Sequence, residues 1–361
     1  MHAAETVKGG ISTYLGSVVG HQLRSPSVTS VQLVIPSSQQ AHVAVRHGSP
    51  KLGVRTFGGD GRASRCRHLL SETRRLLADD PPDILHVHSS FAGLACRLAL
   101  PRRSRTRVVY QPHGVAFDPQ RTGASSAAAF AAVERLLLRR TARVVAISDY
   151  ERGLLDARGF GAKSVTIRNS VTDAAQDVAA SGTDVSPGDY YLFVGRLDQQ
   201  KGFDLLHRFW AGRDERLRVV GDAVVSGASA FAPRDNIEFL GWVESDRIDA
   251  LYAGAKALIV PSRWEGFGLV VLEAYRNRTP VLVSDRGALP SLVAEGETGF
   301  AFSLDRFDTD LARAMDALER GDRAAMGQAS RTRYLDHFTP ERMNRALLDL
   351  YADALSGSQP S

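Results

Sequence analysis

Short apolar runs alternate with amphipathic stretches along nearly the whole chain. The runs read as buried strands over 31–35, 43–45, 84–87, 108–110, 144–147 and 165–167, and again over 190–194, 217–220, 237–240, 258–260 and 281–284. Helical periodicity predicts helices over 11–22, 64–78, 91–100, 125–140, 203–210, 246–252, 289–294 and 340–354. One more helix starts behind Ser148, with Glu151 completing a capping box. Alternation of this kind predicts a parallel sheet with helices on both faces, and it places ligands at the carboxyl ends of the strands. Gly9-Gly10, His88, His113, Ser148 and Asn169 fall at such ends in the first half, and Gly195-Arg196, Gly221-Asp222 and Gly241-Trp242 in the second.

The segment 172–188 is small, polar and Gly/Pro-bearing, and reads as a linker. The organisation expected is a first domain over 1–171 and a second over 189–340. A terminal helix over 341–356 is expected to pack back toward the first domain, before a disordered tail over 357–361. A Gly-Gly turn that opens a helix needs a strand before it, and only a few residues precede Gly9. The first strand is therefore expected to be missing or truncated, with the true start upstream.

Two domains suit a chain of 361 residues. No run of 18 or more apolar residues is present, and the first residues lack the pattern of a secretory leader, so a cytoplasmic protein is expected. Cys66 and Cys96 lack metal-ligand spacing and read as inert thiols. The net charge of +5 conceals a division: residues 1–170 carry 24 Lys and Arg against 11 Asp and Glu (+13), and the remainder 21 against 29 (−8). The basic half suits an anionic partner, here a membrane face, or is simply a solvated Arg-rich surface. No nucleic-acid motif is interleaved with the basic clusters, which argues against nucleic acid.

The densest chemistry lies in 258–280, LIVPSRWEGFGLVVLEAYRNRTP. A strand breaks at Pro261-Ser262, a Gly-punctuated loop carries Glu265, and a helix from about Gly268 carries Glu273 in its second turn. The amides at a helix start lack intrahelical partners and the dipole there is positive. A diphosphate could therefore sit over Gly266, Phe267, Gly268 and Leu269, with the two carboxylates holding hydroxyls.

The strings VGRLDQQKGFDLL (194–206), GWVESDRIDALYAGAKALIVPSRWEGFGLVVLEA (241–274) and TPVLVSDRGALPSLV (279–293) resemble the C-terminal domain of family 4 (group 1) retaining glycosyltransferases. Glu265 and Glu273 stand in the family's E-x7-E spacing, and KGGISTYL, DILHVHSS, YQPHG and VVAIS extend the resemblance, more loosely, to the first half. It implies an α/β architecture called GT-B, two Rossmann-like doubly wound domains facing across a cleft. It also implies transfer of a sugar from a nucleotide-sugar donor with retention of configuration, without a metal or other cofactor.

By the same resemblance Glu273 binds the ribose hydroxyls and Glu265 lies near the donor sugar or its phosphate. His113 reaches the transferred sugar and diphosphate, and Gly10, with Gly9, allows close approach to the backbone. Arg196 and Lys201, beside Gly195 at a strand mouth, can supply the positive charge that a departing diphosphate needs when no Asp-x-Asp metal site is in view. Glu273 could instead be a solvated helix residue, Arg196 and Lys201 surface charges, and His113 a turn histidine. Trp264 and Phe267 could be core or line the donor pocket, and Asn169-Ser170 stands where the family often has Asn-Gly. His86 and His88 read as packing residues, since no third metal ligand is spaced for them. The reading is a glycosyltransferase acting on a glycan or lipid-diphosphate-linked acceptor in cell-surface polysaccharide synthesis, in peripheral contact with an anionic membrane. Alternatives are a transferase with a soluble small-molecule acceptor, a non-catalytic sugar-nucleotide-binding partner subunit, and a sugar-nucleotide epimerase.

Overall fold

A computed structural model of the chain describes residues 1–7, 9–43, 48–174, 189–222 and 231–357. It divides into two compact units, Met1–Ser170 together with Pro340–Ser361, and Val171–Thr339.

The first unit holds β1 (His2–Ala4), α1 (Gly10–Arg24), β2 (Val31–Pro36), β3 (Leu52–Phe57), α2 (Gly61–Asp79), β4 (Ile84–His88), α3 (Ser90–Ala99), β5 (Arg107–Gln111), α4 (Ala124–Leu137), β6 (Arg143–Ala146), α5 (Asp149–Asp156) and β7 (Ser164–Thr166). Its seven strands are parallel, in the order β3-β2-β1-β4-β5-β6-β7. Of the expectation that the first strand is missing or truncated, absence is corrected: a strand of three residues is present. Three residues, two of them Ala, make no apolar run; pairing on both sides, His2 opposite Leu33 and opposite His86, makes them a strand. The edge strand β3 was also not read from the sequence, because LGVRTF is only partly buried, has no apolar run and carries Gly53. Of the strand expected over 43–45, Val43 follows a 3-10 turn (Ser37–His42) and 44–45 lie outside the described residues.

The second unit holds β8 (Tyr190–Val194), α6 (Phe203–Phe209), β9 (Arg216–Val220), β10 (Ile237–Gly241), α7 (Ser245–Ala253), β11 (Ala255–Val260), α8 (Leu269–Arg276), β12 (Val281–Ser284), α9 (Leu289–Leu292), β13 (Gly299–Phe302), α10 (Phe307–Arg320) and α11 (Arg323–His337). The sheet is again parallel, β10-β9-β8-β11-β12-β13. One core joins Trp210, Phe203 and Leu206 to Leu217, Ile259, Leu311 and Leu318. Asp173 anchors the start of this unit through two bonds from Arg331, at 2.5 and 2.8 Å, and residues 175–188 of the expected linker lie outside the described residues.

The last helix, α12 (Pro340–Ser356), belongs to the first unit. Met343, Leu347 and Leu350 share a core with Leu15, Val18 and Val19 of α1. Residues 358–361 of the expected tail lie outside the described residues.

Candidate functional site

In the second unit the strand order reverses between β8 and β11, and in an open parallel sheet the crevice at that reversal is where ligands sit. The loops leaving these two strands carry Gly195, Arg196 and Lys201 on one side and Pro261 to Gly268 on the other. Several bonds staple them. Arg263 donates to both Asp204 oxygens at 2.7 Å and to the Gln199 carbonyl at 2.8 Å, and its own amide donates to the Gln200 carbonyl at 2.8 Å. Gly202, at φ 71° before α6, lets the loops close, because a Cβ there would lie 2.0 Å from the Pro261 carbonyl oxygen.

Within this frame Lys201 Nζ donates to Glu265 Oε2 at 2.6 Å, the side chains only 18% and 13% exposed. Ser262 Oγ approaches the same oxygen at 3.4 Å. The Glu265 carbonyl accepts from the Ala288 amide at 3.0 Å, an approach that needs Gly287, whose Cβ would lie 2.1 Å from that oxygen. Gly268, in a left-handed conformation, precedes α8. No side-chain hydrogen bond caps this helix and its first turn holds no acidic residue. Arg196 is half-exposed and bonds locally, to Gln200 Oε1 at 2.7 Å and to Asp198 at 3.0 Å, not to Glu265. Phe267 is 3% exposed and packs edge-on against Phe338, so its side chain is part of the core.

Glu273 Oε2 accepts from the Tyr252 hydroxyl at 2.7 Å. Tyr252 is fully buried at the end of α7, and burial, then the Glu273 carboxylate, push its hydroxyl well above its ordinary pKa. A proton so firmly held fixes the carboxylate as acceptor. Sequence reasoning missed Tyr252, which sits on the apolar face of its helix and reads as core. Beside it, Asp249 Oδ1 accepts from Arg276 at 2.6 Å and from Asn277 at 2.7 Å, locking α7 to α8.

In the first unit Gly10 is the first residue of α1, after Gly9 at φ 62°. His113, two residues beyond the end of β5, lies in the left-handed region at φ 54°, followed by Gly114 at φ 106°. That strained turn is held by Glu151, whose Oε1 accepts from the Gly114 amide at 2.7 Å and Oε2 from the Ile147 amide at 2.8 Å. Ser148 Oγ accepts from the Glu151 amide at 3.1 Å, as a capping box requires, and the Glu151 carboxylate also serves the His113 turn. Burial pushes Glu151 up to about 7.

His86 and His88 do find a third imidazole, contrary to the sequence reading. The unrecognised β1 brings His2 alongside, with potential ligand atoms of all three within 4.8 Å. His2 Nδ1 lies 3.0 Å from His88 Nε2, and His88 Nδ1 lies 3.1 Å from His113 Nε2.

Residues 182–333 match the family described as glycosyl transferases group 1, and residues 9–170 the glycosyl transferase 4-like domain. An uncharacterised 41.2 kDa protein of the cps region of Klebsiella pneumoniae is 28% identical over 320 residues, 84% of this chain and 86% of that one. The D-inositol 3-phosphate glycosyltransferase of Corynebacterium aurimucosum is 35% identical over 185 residues, 45% of this chain; the chain spans less than half, 43%, of that relative. Among solved structures, HepE of Anabaena in complex with UDP is similar over 98% of this chain and 99% of that one, with a TM-score of 0.78 at 17% identity, a likeness of fold.

Proposed function

The chain belongs to the group 1 glycosyltransferases, with the two Rossmann-like domains of the GT-B fold, and from that membership we propose that it moves a sugar from a nucleotide-diphosphate-sugar onto a glycan or lipid-diphosphate-linked acceptor in cell-surface polysaccharide synthesis. The observation that carries this reading is the Lys201–Glu265 pair, set at the strand reversal beside the uncapped start of α8. A half-buried ammonium and an open helix N-terminus both favour the charge of a departing diphosphate. Lys201 and Arg196 take the diphosphate oxygens, Glu265 accepts from a hydroxyl of the donor sugar, and Glu273, aimed by Tyr252, accepts from the ribose. His113 and Gly10 take their roles from the family resemblance.

The transfer proposed is retaining. The anomeric carbon–oxygen bond to the diphosphate breaks while the acceptor oxygen bonds to the same face, and the acceptor proton passes to the departing phosphate oxygen. No metal is assigned to the donor phosphates. The setting in polysaccharide synthesis is supported by the cps-region relative. The basic first half favours peripheral contact with the cytoplasmic face of a membrane; among the described residues no helix is long and apolar enough to cross one. A second reading, a soluble phosphorylated acceptor, is favoured by the relative named for D-inositol 3-phosphate. A non-catalytic subunit is disfavoured by the joint retention of Arg196, Lys201, Glu265 and Glu273.

The test is a thermal-shift screen against UDP-, GDP-, dTDP- and ADP-sugars in wild type and Glu273→Ala. A donor at about a hundredfold excess over its dissociation constant stabilises by about 2.7 kcal/mol. One nucleotide class stabilising wild type but not the variant supports the reading, and no shift with any refutes it. Flotation with anionic liposomes decides the membrane contact.

A further inference from the structure

His113 is held from two directions. Glu151 fixes its backbone through Gly114, and His88 meets its ring at 3.1 Å. Behind His88 the contacts continue to His2 at 3.0 Å and from His2 Nε2 to Gln22 Oε1 at 2.9 Å. His2, His88 and Gln22 are at most 5% exposed, so solvent cannot replace these partners. Burial pushes His2 and His113 down to about 3 and His88 well below its ordinary value, so all three rings are neutral, each with one N–H and one lone pair.

The direction of the chain is read from its far end, where Gln22 Oε1 faces His2 Nε2 at 2.9 Å and Gln22 Nε2 lies 3.5 Å from the Tyr351 hydroxyl. A carbonyl only accepts, so His2 carries its proton on Nε2 and offers a lone pair on Nδ1. His88 must then donate from Nε2, which leaves its Nδ1 as acceptor. His113 must donate from Nε2 to that nitrogen. We propose that His88 and His2 are positioning residues that hold His113 in the single tautomer with Nε2 protonated, presenting Nδ1 as a fixed acceptor for a hydroxyl of the transferred sugar. The sugar in that statement rests on the glycosyl-transfer reading; the tautomer does not.

One competitor uses the same residues. If His2, His86 and His88 held a transition metal, ligation through His88 Nε2 would place the His88 proton on Nδ1 and invert His113 to the Nδ1-protonated form. The two arrangements therefore predict opposite tautomers. Full-length protein labelled with 15N in its imidazoles, at neutral pH and without substrate, is examined by long-range 15N–1H correlation, and its zinc content is measured by mass spectrometry after dialysis against zinc. The expected spectrum shows His2, His88 and His113 all protonated on Nε2, with no stoichiometric zinc. An Nδ1-protonated, mixed or charged His113, or one zinc per chain, overturns the proposal.

His88→Phe is expected to give averaged His113 tautomers and to lower kcat about tenfold, the worth of one misdirected hydrogen bond, with donor KM near its wild-type value. His88→Gln, which can accept from His113 and donate to His2, should restore both. If His88→Phe does not fold, the wild-type spectrum alone decides. Because that spectrum needs no substrate, a protein with the expected tautomer that binds no sugar nucleotide would overturn the transfer reading separately.

Discussion

Lys201 and Glu265, 64 residues apart in sequence, meet at 2.6 Å where the second sheet reverses its strand order. Each side chain is about as buried as the other, so neither tolerates losing its partner without a replacement charge. An incoming diphosphate is such a replacement. It can take over Lys201 while Glu265 turns to a hydroxyl.

The pair should therefore fail asymmetrically. Lys201→Ala strands the Glu265 carboxylate and removes a cation from the leaving group. A loss of about 2 kcal/mol in stability and a fall of about a hundredfold or more in kcat are expected. Glu265→Gln frees Lys201 for phosphate, so nucleoside diphosphate affinity should hold or rise while kcat falls. Calorimetric titration beside transfer assays reads both, and equal losses of diphosphate affinity in the two variants would refute the division of roles.

Tyr252→Phe removes the hydroxyl that aims Glu273. A cost of about 1 kcal/mol in stability is expected. Donor KM should rise several-fold with kcat nearly unchanged, because the bond is uniform between ground and transition states. A kcat effect larger than the KM effect would place Glu273 at the reacting carbon instead.

Gly202→Ala forces a Cβ onto the Pro261 carbonyl at a positive φ. The loop carrying Lys201 must shift, and about 2 kcal/mol or more of stability should go with it, together with donor-induced stabilisation. An unchanged melting temperature would contradict the close approach of the two loops.

Stability should fall in acid, and the histidines of the first unit set the window. His2 and His113 are pushed down to about 3, and His86 and His88 well below 6.5, with burial the largest cause in each. The unfolded chain thus binds more protons between about pH 3 and 6.5, and stability present above that range is lost as pH falls through it, by at most about 1.4 kcal/mol per pH unit for each group. Glu151, raised to about 7 from 4.5, works the other way and offsets one of the four. Urea midpoints at stepwise lower pH should decline, and a flat profile would mean the rings are not held neutral.

Much of the fold was legible because buried parallel strands are short apolar runs, and β2, β4, β5, β8, β11 and β12 all announce themselves in this way. Some of the elements that escaped have little local signal, although α10 escaped with its apolar positions Phe307, Leu311, Met315 and Leu318 at helical spacing. β1 has no run of its own, α11 is polar over most of its length, and β13 opens on Gly299. In the site, the residue types and the E-x7-E spacing named Lys201, Glu265 and Glu273. Their partners were hidden, since neither the reach of Lys201 to Glu265 nor that of Tyr252 to Glu273 has a sequence period. Arg196 is the instructive case: its strand-end position is as read, yet without a ligand its guanidinium rests on Gln200 and Asp198. His2 could not be joined to His86 and His88 until the strand carrying it was recognised.

The return of α12 to the first unit sets an order of events during synthesis. Met343, Leu347, Leu350 and Tyr351, whose hydroxyl lies 2.6 Å from His86 Nδ1, leave the ribosome after every residue of the second unit. The first unit, although translated first, must wait with the α1 side of its sheet uncovered until its last helix emerges, while the second can already close its own core. A stop codon before residue 340 would thus damage the opposite end of the sequence, unseating the histidines at the beginning of the chain rather than the donor site that immediately precedes the cut.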